Sequence, residues 1–216
     1  MKRKLAILGI AGISLMGSLS VQAQKTEKLF NGKDLSNWEF LVDKNSVPAE
    51  QVYSVKDGMI QIAGQPFGYM YTKQKYSNYK LHVEWRWPDG KEANSGIFLL
   101  IEDLKNPFPN GIECQLHAGD AGDFVLLGGS DLAEFQNKPG QPRPAFPVVQ
   151  KHTQSSENKA GEWNEANIFV KDGVITVYIN GVYQNTGTNK VKEGHIGLQS
   201  EGGPIQFRNV TLTPWE

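Results

Sequence analysis

The sequence predicts an all-β chain folded as a two-sheet antiparallel jelly-roll sandwich. Three observations carry this. Apolar and polar residues alternate with a period of two over many short segments. Asp-Gly and Asn-Gly pairs separate several of them, as tight hairpins require. No stretch holds a helical period beyond one turn near residues 131–135. Strands that are apolar on one side and polar on the other pack as two sheets with their polar faces outward.

Trp38–Val42 opens the series, and Asp57-Gly58 turns a hairpin between residues 52–55 and Met59–Ile62. Residues 79–87 set Leu81, Val83, Trp85 and Trp87 on one side and Lys80, His82, Glu84 and Arg86 on the other. Residues 96–102 form a largely apolar strand. Residues 112–117 oppose Ile112, Cys114 and Leu116 to Glu113, Gln115 and His117. Segment 118–162 breaks the pattern: it is rich in Gly and Pro, with one strand at Phe124–Leu127. Long irregular segments in a compact domain are usually functional or disordered, and this one adjoins the polar 113–117 face, which predicts a site wall. Residues 166–171, Asp172-Gly173 and Val174–Ile179 read as a hairpin. Asn180-Gly181 turns into residues 182–185, and strands at 195–199 and 205–212 close the chain.

Of 216 residues, 39% are apolar and 21% charged, which permits a real core and argues against disorder and a multi-span membrane protein. Residues 1–23 read as a secretory signal peptide: a basic Met1–Lys4, an apolar 5–21 run, and Val21-Gln22-Ala23 as cleavage site. An uncleaved anchor fits less well, because Gly and Ser interrupt a run short of the roughly 20 residues a span needs. Residues 24–216 then form a single β-sandwich domain, periplasmic or secreted, with no stable membrane insertion after cleavage. The net charge is −1, and removing the leader's three cations leaves −4. Without a basic stripe, nucleic acid and anionic membrane are poor partners. Nothing in the sequence fixes the oligomeric state.

The chain lacks a glycine-rich phosphate loop, a Gly-x-Ser-x-Gly elbow and a His-Glu-x-x-His helix. Its one cysteine, Cys114, excludes an internal disulfide framework and reads as a buried small hydrophobe. Chemistry must therefore rest on carboxylates, histidines and Arg or Lys. Alternation places Glu84 with Arg86, Glu113 with Gln115 and His117, and Gln199 with Glu201 and His195. If those strands are neighbours in one sheet, their polar faces merge into one concave carbohydrate patch. The bland alternative is an outer sheet face laced with cross-strand ion pairs. Lys151 and His152 join the candidates from local chemistry. Tyr69, Tyr71, Trp87, Phe124 and Phe146 are the aromatic surfaces on which a sugar ring could lie.

Several motifs resemble one family. They are Leu29-Phe30-Asn31-Gly32-Lys33-Asp34-Leu35-x-x-Trp38, Glu84-x-Arg86, Asn94-Ser95-Gly96-Ile97, Gly111-Ile112-Glu113-Cys114-Gln115, Gly161-Glu162-Trp163-Asn164, Gly194-His195-Ile196-Gly197-Leu198-Gln199, and Gly203-Pro204 onward to Val210. Together, from about Leu29 to Leu212, the chain resembles the 3-keto-disaccharide hydrolase family. The resemblance implies a concanavalin A-like sandwich and action on glycosides whose C3 hydroxyl has been oxidised to a ketone. It carries over Glu84, Arg86, Asn94, Glu113, Gln115, Gln199 and Glu201 as site residues. Sandwich glucanases, a more distant likeness, place three acids on one strand as Glu-x-Asp-x-(x)-Glu. Here the strand reads Glu113-x-Gln115-x-His117. That departure counts against ordinary retaining hydrolysis, which needs two carboxyls about 5–5.5 Å apart.

A C3 ketone acidifies the C2 hydrogen, so base abstraction and β-elimination of the C1 substituent, followed by hydration, give net hydrolysis. The expected base is His117 or Glu113. Arg86 or Lys151 faces the oxyanion, and the remaining carboxylate or Glu201 protonates the leaving oxygen. No cofactor is expected. A divalent cation held by Glu113 and His117 is conceivable, but the spacing does not indicate one. The competing reading is a non-catalytic carbohydrate-binding module of the same fold class.

Overall fold

A computed structural model describes residues 25–215. The expected signal peptide lies outside the described residues. The strands are β1 (Glu27–Lys28), β2 (Trp38–Val42), β3 (Tyr53–Lys56), β4 (Met59–Ile62), β5 (Gly68–Thr72), β6 (Tyr79–Arg86), β7 (Gly96–Ile101) and β8 (Gly111–Gln115). There follow β9 (Phe124–Leu127), β10 (Val148–Val149), β11 (Asn164–Lys171), β12 (Val174–Ile179), β13 (Val182–Thr188), β14 (His195–Ser200) and β15 (Ile205–Pro214). They form two antiparallel sheets. Sheet A runs β13-β12-β11-β6-β15-β4-β3, with β1 also on β15. Sheet B runs β10-β9-β8-β7-β14-β5-β2.

The hairpin signals work as read. Asp57 and Gly58 both take positive φ, 52° and 73°, and Asn180 and Gly181 take 49° and 78°. That mirror-image turn follows the right-handed strand twist, and the Asn/Asp-Gly pair tolerates it best. The alternation in β6 is also as read: Leu81, Val83 and Trp85 are fully buried between the sheets, facing a core that includes Ile112, Cys114 and Leu116. Burying each such side chain contributes roughly 1.5–3 kcal/mol.

The sequence reading differs in two places. The short β10 lies within the segment read as irregular, and β1 precedes the first strand read. Strand β5 was not expected because four of its five residues are buried, leaving no alternation to read. Residues 132–135 close the single turn read there, with Phe135 N–H donating to the Leu132 carbonyl, and the segment docks on β13 through Ala133 N–H to the Thr188 carbonyl and Glu134 accepting from Thr188.

A second apolar cluster lies on the outer face of sheet B. It contains Tyr69, Phe98, Ile101, Val125 and Leu127, overlaid by Leu104 and Phe108 from the 102–110 loop. The apolar cover leaves one part of that face to polar groups. Cys114 is a free, buried thiol whose pKa burial pushes up. Among the described residues, no helix is long and apolar enough to cross a membrane.

Candidate active site

The centre of the site is Glu113 on β8. Ile112 and Cys114 face the core, so Glu113 must point outward. It nonetheless keeps only 3% of its surface exposed. Its row across sheet B pairs Tyr71 with Gly197, Gly197 with Phe98, Phe98 with Glu113, and Glu113 with Val125. Gly96, facing Gln115, gives the carboxyl room to lie down. A Cβ at Gly96 would stand 2.3 Å from Glu113 Oε1. Oε1 has no hydrogen-bond partner. Burial first, and then the charge of Glu201, raise the Glu113 pKa well above the usual carboxylate range.

Glu201 follows β14 and is half-buried. Gln199 Nε2 donates to its Oε2 at 2.6 Å. Burial raises the Glu201 pKa, against hydrogen bonds from Gln199 and Asn94 and the charge of His117. Two turns support this group. Gly202, at φ 76°, lies against Asn94, and Ser95 Oγ donates to the Gln199 carbonyl at 2.9 Å. Across β14 and β5, Gln199 faces the fully buried Tyr69. Burial raises the Tyr69 pKa, keeping the phenol a neutral donor.

Seven buried side-chain atoms among the described residues lack partners, and four of them belong here: Tyr69 OH, Asn94 Oδ1, Glu113 Oε1 and Gln199 Oε1. Leaving a buried polar atom unpaired costs about 1–3 kcal/mol. A cluster of such atoms on one sheet face is the mark of a site shaped for a polar ligand.

His117 stands at the rim, half-exposed, with Nδ1 2.9 Å from Asp120 Oδ2. That contact fixes the ring through Nδ1 and leaves Nε2 outside it. Gln115 spends its Oε1 on the backbone N–H groups of Leu116 and His117, shaping the turn rather than a subsite. Lys151 Nζ donates to the Gly119 carbonyl at 2.8 Å and lies 3.6–3.7 Å from Asp123 and Asp120. Its charge is thus committed to the loop beside His117.

The single merged patch is not what the structure builds. Glu84 and Arg86 lie on β6 in sheet A, whereas Glu113, Gln199 and Glu201 belong to sheet B. The alternation was right, but period-two patterns do not say which strands pair. Glu84 accepts from Arg208 Nε and Asn209 Nδ2, both at 2.6 Å. Arg86 donates to Gln206 Oε1 at 2.7 Å. Both guanidiniums lie over the Trp163 ring, Arg208 3.9 Å and Arg86 4.7 Å from its centroid. Arg86 therefore cannot face an oxyanion at Glu113. His152 stacks on Tyr183 of β13, also in sheet A, with ring centroids 6.0 Å apart. Trp87 and Phe124 belong to the inter-sheet core, and His195 is held by the Thr72 carbonyl at 2.7 Å.

Sequence reasoning named Tyr69 only as an aromatic surface and missed Asp120 and Gly96. The His117-x-x-Asp120 spacing and a glycine opening an apolar strand were the available signals. Glu113 and His117 do not share one straight strand, because β8 ends at Gln115.

Residues 25–213 match the family described as the 3-keto-alpha-glucoside-1,2-lyase-like domain. The chain belongs to this family. A relative named 3-keto-disaccharide hydrolase, from Bacteroides thetaiotaomicron, is 23% identical, over 90% of this chain and 80% of its own length. A candidate glycosyl hydrolase from Parabacteroides distasonis has a similar structure, with a TM-score of 0.63 and 22% identity over 88% of this chain and 94% of its own. A Bacillus licheniformis β-glucanase shares the fold at a TM-score of 0.56 and 10% identity, covering 91% of this chain and all of its own. The 3-keto-alpha-glucoside-1,2-lyase-like fold is thus an all-β glucanase-type sandwich. Its opening motif is structural here: Asn31 Oδ1 caps the Lys33 and Asp34 N–H groups, and Trp38 Nε1 donates to the Leu29 carbonyl. Among the described residues, no three His, Cys, Asp or Glu side chains converge to hold a metal ion.

Proposed function

We propose that this protein is an enzyme that cleaves glycosides bearing a ketone at C3, by elimination and then hydration. The supporting observation is the Glu113–Glu201 pair: two carboxyls on one sheet face, both raised by burial, Glu113 well above the usual range and Glu201 less so because Gln199, Asn94 and His117 oppose the rise. Such separation assigns acid and base. Glu201, helped by two amides and His117, is the group that can ionise and take the C2 proton. The C2–C3 enediolate that forms places negative charge on the C3 oxygen. We assign the stabilising of that charge to Tyr69, a neutral buried phenol with no partner, in place of Arg86 and Lys151. Glu113, held protonated, donates to the C1 oxygen as that bond breaks. The leaving alcohol and a 1,2-unsaturated 3-keto sugar result. Water then adds at C1, losing a proton to Glu113, while Glu201 returns its proton to C2. The sum is one water consumed and one glycosidic bond cleaved. Asn94 Oδ1 and Gln199 Oε1 are free to accept sugar hydroxyls.

The test is release of an alcohol from a 3-keto glucoside and from its unoxidised parent, run in D2O, with and without a chelator. Release from the keto substrate alone, with early deuterium at C2, is expected. Release from the parent would indicate ordinary glycoside hydrolysis. Sugar binding without release from either would indicate a binding module. The rate should follow a bell in pH, rising as Glu201 ionises and falling as Glu113 ionises. The leader supports a periplasmic or secreted location, checked by fractionating cells that express the full chain.

A further inference from the structure

The acid cluster on sheet B ends at an apolar boundary. Glu113 pairs with Val125, and Val125 pairs with Val148 at the sheet edge. The three share the outer face, so at roughly 4.8 Å per strand Val148 stands about 10 Å from Glu113. Three rings run in contact across the same face. Phe67 and Phe108 have centroids 5.8 Å apart, and Phe108 meets Phe146 edge-on at 5.1 Å. Phe67 precedes Gly68, whose partner Ser200 is next to Glu201, so one end of the ridge lies one register step from Glu201. Phe146 precedes Pro147, whose carbonyl accepts from Leu126 N–H, so the other end stands by Val125 and Val148. Phe67, Phe146 and Val148 are 37%, 47% and 43% exposed. Beyond Phe146 and Val148 the surface opens into a recess of about 630 Å³ whose other walls are largely polar, with Glu134, Gln136, Asn137, Lys138, Gln141 and Gln150, so the apolar surface is confined to the ridge. That volume lies within the range of small-molecule sites, and a contiguous exposed apolar patch marks binding.

We infer that this ridge binds the leaving group of the substrate, and that the leaving group is a planar aromatic alcohol or phenol rather than a second sugar. The inference rests on the proposed cleavage at Glu113 and Glu201. A second sugar needs several hydrogen-bond partners along its ring. The side chains of Phe67, Phe108, Phe146 and Val148 offer none. They offer flat and edge-to-face apolar surface, which suits an aromatic ring. The polar side chains of the recess beyond its end can meet phenolic hydroxyls.

The experiment compares three 3-keto glucosides: methyl, 2-phenylethyl, and a disaccharide. The first two release aliphatic alcohols of similar acidity, so their ratio reads the subsite and not leaving-group chemistry. Wild type should prefer 2-phenylethyl over methyl in kcat/KM. Phe146→Ala and Phe67→Ala should each lower that ratio roughly 3- to 10-fold, through KM. Phe146→Trp should keep it, which separates lost stacking from lost fold. Turnover with no preference for the ring, or preference for the disaccharide with ratios unchanged in the alanine variants, overturns the inference alone. No turnover of any keto substrate overturns the cleavage reading and the leaving-group subsite with it.

Discussion

The two sheets each turn a glutamate outward, and the two glutamates meet opposite conditions. On sheet A, Glu84 receives Arg208 and Asn209, with His82 Nε2 3.5 Å away, and His82 in turn meets Asn167. Every oxygen is answered. On sheet B, Glu113 is more deeply buried, has an oxygen with no partner, and faces a second acid. A satisfied network holds a sheet together. An unsatisfied one stores a cost of order 1–3 kcal/mol per atom, which a ligand can repay. Electrostatic completeness, rather than the presence of charge, separates the structural face from the chemical one.

The largest expected break is Glu113→Gln. It removes the proton donor and leaves the shape, so kcat/KM on a 3-keto glucoside should fall about 10²–10⁴-fold. Circular dichroism and thermal melting should show the fold intact. If activity survives, the contrast between the faces has been misread. Gly96→Ala attacks the same carboxyl from below. The added Cβ would overlap Glu113 Oε1, so the acid must swing away. A displacement near 1 Å can cost about 10²-fold, and that is the expected loss by the same assay.

Glu84→Gln sharpens the comparison from the other side. Arg208 is 40% exposed, so solvent screens part of the loss. Denaturant unfolding should show a decrease of roughly 1 kcal/mol. Turnover should change less than twofold, since Glu84 belongs to the other sheet.

How far the sequence revealed this contrast follows from what periodicity encodes. Alternation fixed the inward side of β6 and β8, and Asp-Gly and Asn-Gly fixed the hairpins, because both are local. Strand β5 was hidden because it is covered on both faces, which erases the alternation and the site role of Tyr69 with it. Pairing across the sheets is non-local. Glu84-x-Arg86 and Glu113-x-Gln115 look alike as strings, and only the interleaved strand order sends one to sheet A and the other to sheet B. The missing partners of Glu113 were likewise invisible, since what is absent around a side chain depends on every neighbour.

The subtlest effect is in the pH dependence of stability, where the two faces should act with opposite sign. For Glu84, burial acts upward, but hydrogen bonds from Asn209 and Arg208 outweigh it and lower the pKa below 4.5. The folded state therefore holds this proton less tightly than the unfolded state. Its contribution is present above pH 4.5 and is lost as pH falls through the lowered value. For Glu113 the folded pKa is raised, so the folded state binds the proton more tightly. Its contribution is present below pH 4.5 and is lost as pH rises toward the raised value. Denaturant unfolding from pH 3.5 to 8 should thus show two diverging curves. Wild type should exceed Glu84→Gln by a margin that shrinks in acid. Glu113→Gln should match wild type in acid and exceed it increasingly above pH 4.5. Parallel curves for Glu113→Gln and wild type would mean that this carboxyl is solvated after all, and the acid assigned to the leaving oxygen would have to be sought elsewhere on sheet B.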